Sequence, residues 1–330
     1  MPPPPALPED LVEEILLRVP PDDPATLLRA ALVCKPWCRL LSGAAFRRRF
    51  LERHGSPPIL GLFHRRGGAT HFTPTTSFRP QYAAAAGGWC PVDARHGRIL
   101  FYNTVSLRRP VLIELVVSDP IAGVLHRLAM PRLLHNCCTW SAAFLCAAAG
   151  CDHLDCCPRG PFHVVLVGTD NSGEFTTACV YSSEASAWNE TASVAHPHAG
   201  CVYGVRLMPD MDGLLESTRC CALVADALYF MFERSDRILE YNVVRQELSV
   251  ISDLPSECNL WWPALITWED GRLGLAYVQE SYVLDRDRKS DLYMWSREDA
   301  GHQVMDGCIA EQSTYRFCSL LLPSQPIVGP

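Results

Sequence analysis

Lysine is almost missing from this chain. Of its 29 basic residues only Lys35 and Lys289 are lysines, and none stands between them. Arginine therefore carries nearly all the positive charge, and the acidic residues still outweigh it, leaving a net charge of −7. Such a balance does not suit nonspecific phosphate binding, which needs a basic face, so nucleic acid is not an expected partner. Long apolar runs are also missing. There is no stretch of about 18 to 20 apolar residues, and residues 1–17 lack a basic segment leading into an apolar one, so neither a membrane span nor a secretory leader is expected. These absences point to the cytoplasm or the nucleus, where the 16 cysteines are expected as thiols and the Asn189-Glu190-Thr191 sequon has no acceptor role.

The usual signatures of bond chemistry are absent as well. No glycine-rich phosphate loop, dinucleotide fingerprint or kinase signature occurs, and no cofactor is expected. The most chemical-looking stretch runs from Cys146 to Cys151-Asp152-His153-Leu154-Asp155-Cys156-Cys157. Cys151, His153, Cys156 and Cys157 have the ligand chemistry of a zinc site, with Cys137 or Cys138 in support. Without a CxxC pair to form a knuckle, reduced cysteines in a loop between sheets are the preferred reading. A Cys156–His163 nucleophile would need an orienting group and an oxyanion site that nothing in the spacing supplies. Asp170-Asn171-Ser172-Gly173-Glu174 is too short for an EF-hand calcium loop and is read as a hairpin turn.

What is present begins with helices. Leu11, Val12, Ile15, Leu16 and Val19 recur at helical spacing, Pro8 suits a first turn, and Glu9, Asp10, Glu13 and Glu14 favour the N-terminal end of the dipole. Pro20-Pro21 stops this helix. Asp22 or Asp23 then caps a second with Leu27, Leu28, Ala31 and Leu32; Pro36 opens a third with Trp37, Leu40 and Leu41; a fourth spans 44–54 with Phe46 and Phe50 inward. Cys34 and Cys38, one turn apart, read as packing thiols. So small a helical module cannot bury every one of its apolar side chains, and the surplus is expected to meet a partner or the rest of the chain.

In their order, Leu7-Pro8-Glu9-Asp10-Leu11, Glu14-Ile15-Leu16, the Leu-rich second helix, Val33-Cys34-Lys35 and Trp37 resemble the F-box. That resemblance implies a helical module docking on the Skp-family adaptor of a cullin-RING ubiquitin ligase. Carried over position by position, it gives Leu7, Pro8, Leu11, Ile15, Leu16, Leu28, Val33, Cys34 and Trp37 adaptor-facing or motif-shaping roles, with internal packing an open alternative for Leu28, Val33 and Trp37. The scarcity of lysine then has two readings. It reflects a general compositional bias, or it leaves few acceptor amines on a protein held beside a ubiquitin carrier.

Beyond Gly55 the composition changes, and residues 83–88 read as a small-residue loop. Short apolar or alternating runs bounded by turn residues follow, an all-β pattern. Four segments share one shape, with polar turns at Ser118, Ser182, Asn242 and Ser296 about 54 to 64 residues apart, longer than common propeller blades. Trp188 or Leu248, just past such turns, are expected between neighbouring sheets. The aromatic residues Tyr229, Phe230, Phe232, Trp261, Trp262, Trp268, Tyr277 and Tyr282 are expected in the core rather than on a binding face. The fold expected is α+β and multidomain: a helical F-box module over 1–55, a linker with first strands over 56–90, and a propeller-like β domain over 91–330. A β-sandwich or irregular barrel is the alternative.

SAAFLCAAAGCDHLDCCPRGPFHVVLV, VYSSEASAW and EDGRLGLA also resemble the β-rich region of plant, particularly grass, F-box proteins. The resemblance implies that further strands would follow LLPSQPIVGP, and that a propeller stopping there would expose a sheet edge. The function expected is that of a non-catalytic substrate-recruiting subunit, binding the adaptor through the helices and a target through the β domain. The alternatives are an F-box decoy that does not support ligation, and a hydrolase or carbohydrate-binding β domain with a helical cap.

Overall fold

The computed structural model is described over residues 7–21, 23–55, 60–66, 69–76, 79, 89–106, 112–120, 123–148, 160–206, 221–233, 235–252, 264–268, 271–282, 288–298 and 301–305. Most side chains are described as far as Ala276. Four helices come first: α1 (Glu9–Leu16), α2 (Pro24–Ala31), α3 (Lys35–Ser42) and α4 (Ala44–His54). Pro8 stands at the N-cap of α1 instead of inside its first turn. Asp23 caps α2, accepting from the Thr26 N–H at 3.3 Å and the Thr26 hydroxyl at 2.6 Å. That hydroxyl bond holds the Asp23 carboxyl below its ordinary pKa.

The helical core is small. Val12, Leu16, Leu17, Ala30 and Phe46 are buried, with Leu27, Trp37, Leu40, Leu41 and Phe50 packed partly against them. The outside is laced by charge: Arg49 bonds Glu13 at 2.8 Å, Arg53 bonds Glu14 at 3.4 Å, and the His54 ring meets the Leu17 carbonyl at 2.7 Å. These contacts hold α4 against α1, although exposed ion pairs of this kind contribute only ~0.2–1 kcal/mol each.

A hairpin of β1 (Gly61–Arg66) and β2 (Ala69–Pro74) precedes four antiparallel sheets. The first sheet holds β3 (Cys90–Arg95), β4 (Arg98–Ser106), β5 (Leu112–Asp119) and β6 (Val124–Leu128), paired in chain order. In the second, β7 (Cys137–Cys146), β8 (Phe162–Asp170), β9 (Phe175–Ser182) and β10 (Ala187–Ala195) follow the same pattern, and β11 (Val205–Arg206) adds to the free side of β7. The third contains β12 (Ala222–Val224), β13 (Ala227–Met231), β14 (Ile238–Asn242) and β15 (Glu247–Ile251); the fourth contains β16 (Ala264–Thr267), β17 (Leu273–Tyr282), β18 (Arg288–Glu298) and β19 (Gly301–Met305).

The sequence repeat maps onto these sheets. Each third strand closes at its last pair with the fourth: Asp119 with Val124, Ser182 with Ala187, Asn242 with Glu247 and Glu298 with Gly301. Ser182 and Asn242 are therefore the closing residues, whereas Ser118 and Ser296 sit one and two pairs earlier, opposite Leu125 and Gln303. The closing side chain has a local task. Ser182 Oγ accepts from the Ala185 N–H at 3.4 Å and Asn242 Oδ1 from the Arg245 N–H at 2.8 Å, folding the chain back. Gly123, Ser186 and Gln246, each just before a fourth strand, take positive φ of 72°, 51° and 55° to complete the reversal.

Neighbouring sheets share cores in chain order. Leu100, Tyr102, Leu115 and Val117 of the first sheet pack with Trp140, Phe144, Val164 and Leu166 of the second. The second sheet's other face, with Ala143, Val165 and Val167, meets Leu228, Phe230, Leu239 and Tyr241 of the third. Met231 and Ile238 of the third then meet Leu265, Leu273 and Leu275 of the fourth. A central sheet buried on both faces explains the nearly unbroken apolar runs of β7 and β8. Trp188 packs against the first of these cores and donates Nε1–H to the Ala129 carbonyl at 2.6 Å, while Leu248 packs against the second. Phe230 and Phe232 are core, and Tyr229 is half-buried; Trp261 and Trp262 and the side chains of Tyr277 and Tyr282 lie outside the described residues.

Asp93 of β3 is fastened between sheets. It accepts from the Phe144 N–H of β7 at 2.8 Å and from Arg95 Nε at 2.9 Å, while Arg95 donates to the Cys221 carbonyl beside β12 at 2.6 Å. One ion pair thus links three sheets.

Candidate interaction site

The helical module leaves one side of its apolar surface uncovered. On α1 the residues split into two ridges: Val12 and Leu16 face the core at 6% and 4% exposure, while Leu11 and Ile15 face outward at 52% and 54%. At 3.6 residues per turn these pairs lie about 100° apart around the axis, so α1 is apolar on more surface than its own module covers. Leu7 and Pro8 continue the outer ridge and are exposed. At the end of α2, Leu28 and Val33 are each 66% exposed and Leu32 is 86% exposed.

Of the residues expected at a partner surface, Leu7, Pro8, Leu11, Ile15, Leu28 and Val33 are therefore open to solvent. Leu16 is buried and shapes the module, and Trp37 is half-buried against the same core. Cys34 and Cys38 are both exposed, which corrects their reading as packing thiols: α3 turns that side outward, and Trp37, Leu40 and Leu41 supply its inward contacts. Leu32, the most exposed residue here, reads on the face of the second helix with Leu27, Leu28 and Ala31 but is not among the residues the F-box resemblance carries over. Its signal was the unbroken Leu32-Val33 pair immediately after the last turn of α2, where the helix no longer turns side chains inward.

The candidate chemical sites of the β region resolve differently. Cys151, His153, Cys156 and Cys157 lie outside the described residues, and no cluster of three or more metal-ligating side chains occurs among the described ones. Cys137 is buried and its thiol is pushed up to about 12 by burial, which leaves it a protonated core residue. His163 is half-buried in β8, opposite Leu145. Asp170 to Glu174 is a hairpin turn: Asp170 accepts from Ser172 Oγ at 2.6 Å and from the Glu174 and Phe175 N–H groups at 3.2 Å, and Gly173 has a φ of 74°. Burial alone would raise the Asp170 pKa, but these bonds outweigh it and hold the carboxyl below its ordinary range.

A groove of about 490 Å³ runs between β10 and β14–β15, lined by Thr191, Ser193, Glu240, Arg245 and Glu247 among others. Its lining is polar and mixed in charge. The buried Asp93 carboxylate is committed to Arg95 and two backbone N–H groups, of Ala94 and Phe144, which is a structural role and not that of a general acid or base.

A family model of the F-box domain matches residues 5–49, the segment that holds every exposed residue of the α1–α2 surface. The chain carries an F-box domain. Behind this F-box stands a mostly-β region of four meandering sheets that do not close on one another among the described residues.

Among solved structures the chain is similar to the alpha-L-arabinanase of Penicillium chrysogenum complexed with arabinobiose, at 10% identity over 66% of this chain and 65% of that one, with a TM-score of 0.39. It is also similar to the GH93 alpha-L-arabinofuranosidase of Fusarium graminearum, at 13% identity over 73% and 67%, with a TM-score of 0.38. A third is the beta-propeller domain of the Trilobed protease from Pyrococcus furiosus, with an open velcro topology, at 10% identity over 68% and 58%, with a TM-score of 0.32. The chain spans less than two thirds of the first and third of these structures. Likeness of this degree assigns no activity and no ring closure to this chain. A search of curated proteins found no match. No helix among the described residues is long and apolar enough to cross a membrane.

Proposed function

We propose that this protein is a substrate-recruiting subunit of an SCF-type cullin-RING ubiquitin ligase. The F-box engages a Skp-family adaptor through the outer ridge of α1 and the end of α2, and the β sheets hold a target protein. One observation carries this reading: within an F-box domain, Leu7, Leu11, Ile15, Leu28, Leu32 and Val33 are each more than half exposed while the ridge beside them is fully packed. An apolar surface of that kind is stabilised by a partner. Leu16 and Trp37 support it from beneath, and Pro8 and Cys34 border it.

The subunit performs no bond chemistry of its own. Its contribution is proximity, since a target tethered beside a charged ubiquitin carrier presents its lysines at a high effective concentration. The described part of this chain offers only Lys35 and Lys289 in competition, which fits a receptor that is spared self-modification. The resemblance to plant F-box proteins belongs with this reading, as does a location in the cytoplasm or nucleus.

Co-purification with a Skp-family adaptor tests the proposal. The full chain is expected to bind adaptor stoichiometrically, and Leu11→Asp with Ile15→Asp to abolish capture while leaving the fold intact. Capture unchanged by that double substitution would remove α1 from the interface. Target turnover, compared in cells with and without the protein, separates a receptor from a decoy: a receptor shortens the target's lifetime, a decoy lengthens it.

A further inference from the structure

Cys138 and Cys201 are 63 residues apart in sequence, yet their Sγ atoms lie 3.3 Å apart. Both are free thiols and both are half-buried. Cys138 sits at the irregularity between Cys137 and Thr139 in the β7–β8 pairing, where its thiol donates to the Asp170 carbonyl at 3.1 Å. Cys201 belongs to a strap between β10 and β11 that is fastened on both sides. On the second-sheet side the Val202 N–H donates to Thr169 Oγ1 at 3.0 Å. On the third-sheet side the Glu233 N–H donates to the Cys201 carbonyl at 2.8 Å, the Tyr203 N–H donates to the Met231 carbonyl at 2.7 Å, and Val202 bridges Phe232. Just beyond, Gly204 approaches the Trp140 carbonyl so closely that a side chain there would collide with it. The two sulfurs are thus presented to each other by fixed backbone. Arg206, paired with Glu233, adds positive charge beside Cys138.

We propose that Cys138 and Cys201 form a hydroperoxide-responsive dithiol, in which Cys138 is the nucleophile and Cys201 the resolving thiol, closing to a disulfide that ties the strap to β7. The Cys138 thiolate attacks one peroxide oxygen, breaking the O–O bond; hydrogen peroxide leaves Cys138 as a sulfenic acid and releases hydroxide, which takes up a proton. Cys201 sulfur then attacks the sulfenic sulfur, the S–O bond breaks, and the departing hydroxide leaves as water with the Cys201 proton. In sum two thiols and one hydrogen peroxide give one disulfide and two waters. The sulfurs must close by little more than 1 Å from their present separation to reach bonding distance, about 2.05 Å.

The electrostatics suit these roles. With Cys201 as the donor between the two sulfurs, its S–H draws the Cys138 thiol down to about 6 against the opposing effect of burial, with Arg206 adding to the lowering, while the same bond and burial push Cys201 upward. Cys137 next door and Cys179 are both pushed up to about 12 by burial and stay protonated. The disulfide would pin the seam between the second and third sheets, and this inference is independent of the ligase reading.

The test uses the full reduced chain treated with a small excess of hydrogen peroxide, blocked with N-ethylmaleimide, digested and analysed by mass spectrometry. The expected product is a Cys138–Cys201 linked peptide, about 2 Da lighter than its reduced halves and restored by dithiothreitol. Cys201→Ser is expected to trap a dimedone-reactive sulfenic acid at Cys138, and Cys138→Ser to leave Cys201 unoxidised. Should either variant fail to fold, iodoacetamide labelling of the unmodified chain at pH 6.5 decides: Cys138 is expected to react several-fold faster than the exposed Cys34. No linked peptide, or labelling of Cys138 no faster than Cys34, overturns the proposal.

Discussion

In the first 55 residues Leu7, Leu11, Ile15, Leu28, Leu32 and Val33 stand between 52% and 86% exposed, whereas Leu100, Leu115, Leu166, Leu228, Leu239 and Leu275 in the sheets are at 0%. Both regions are built from the same kinds of side chain. The difference lies in geometry. A sheet offers two broad faces, and here successive sheets cover each other's faces in chain order, so one leucine's burial is completed by the next sheet. Helices of eight to eleven residues present a ridge on more than one side, and four of them enclose only one interior. The apolar surplus on the helices is therefore gathered on one ridge, while the exposed apolar side chains of the sheets, such as Phe175 and Val244, stand apart from one another in the sequence.

Substitutions that break this contrast should differ most where burial differs most. Asp93→Ala removes the carboxylate to which Arg95 is bound at the meeting of three sheets, and is expected to cost about 3–5 kcal/mol because it leaves a buried charge uncompensated. Denaturant unfolding of the full chain measures it. Leu239→Ala is expected to cost about 2–5 kcal/mol by the cavity it leaves, whereas Leu32→Ala should stay within about 0.5 kcal/mol on the same assay. Equal costs at the two leucines would abolish the distinction between core and exposed ridge.

A smaller effect comes from pH. His196 is buried, its Nε2 is 2.7 Å from Thr176 Oγ1, and burial holds its pKa below the ordinary histidine value. The unfolded chain takes up that proton near pH 6.5 while the folded chain resists it, so stability contributed by His196 is present above about 6.5 and is lost as pH falls below it. Denaturation midpoints compared at pH 7 and pH 5 should show this slope, and His196→Asn should flatten it. A local effect is expected at the α2 cap. Asp23→Ala should lower helical stability slightly, and the contribution of its depressed carboxyl should fade as pH drops through its folded pKa, followed by far-UV circular dichroism.

Much of this arrangement was legible in the sequence. Asp23 and Pro36 located the starts of α2 and α3, whereas α1 ends at Leu16, four residues before Pro20-Pro21, and leaves Val19 outside the helix in which its spacing placed it; the sheet repeat followed from turn-flanked apolar runs whose third strands close at Ser182 and Asn242. Periodicity could not decide which ridge of α1 turns inward, because Leu11 and Val12 are equally apolar and only the position of Phe46 and the other helices chooses between them. The outward side of α3 was hidden for the same reason, and Cys34 and Cys38 were misplaced by it. β11 escaped notice because two residues carry no alternating pattern. Cys138 and Cys201 are brought together by β11 and its strap, a long-range pairing that no local spacing announces.

The most direct test of the account is adaptor affinity measured by calorimetry on the full chain and on Leu11→Asp/Ile15→Asp, beside the melting temperature of each. A loss of at least about 100-fold in affinity with an unchanged melting temperature is the predicted result, since both side chains are outside the core and stand on the surface proposed to meet the adaptor. Unchanged affinity would contradict it, and so would a fall in melting temperature comparable to that of Leu239→Ala, which would make the outer ridge part of the fold.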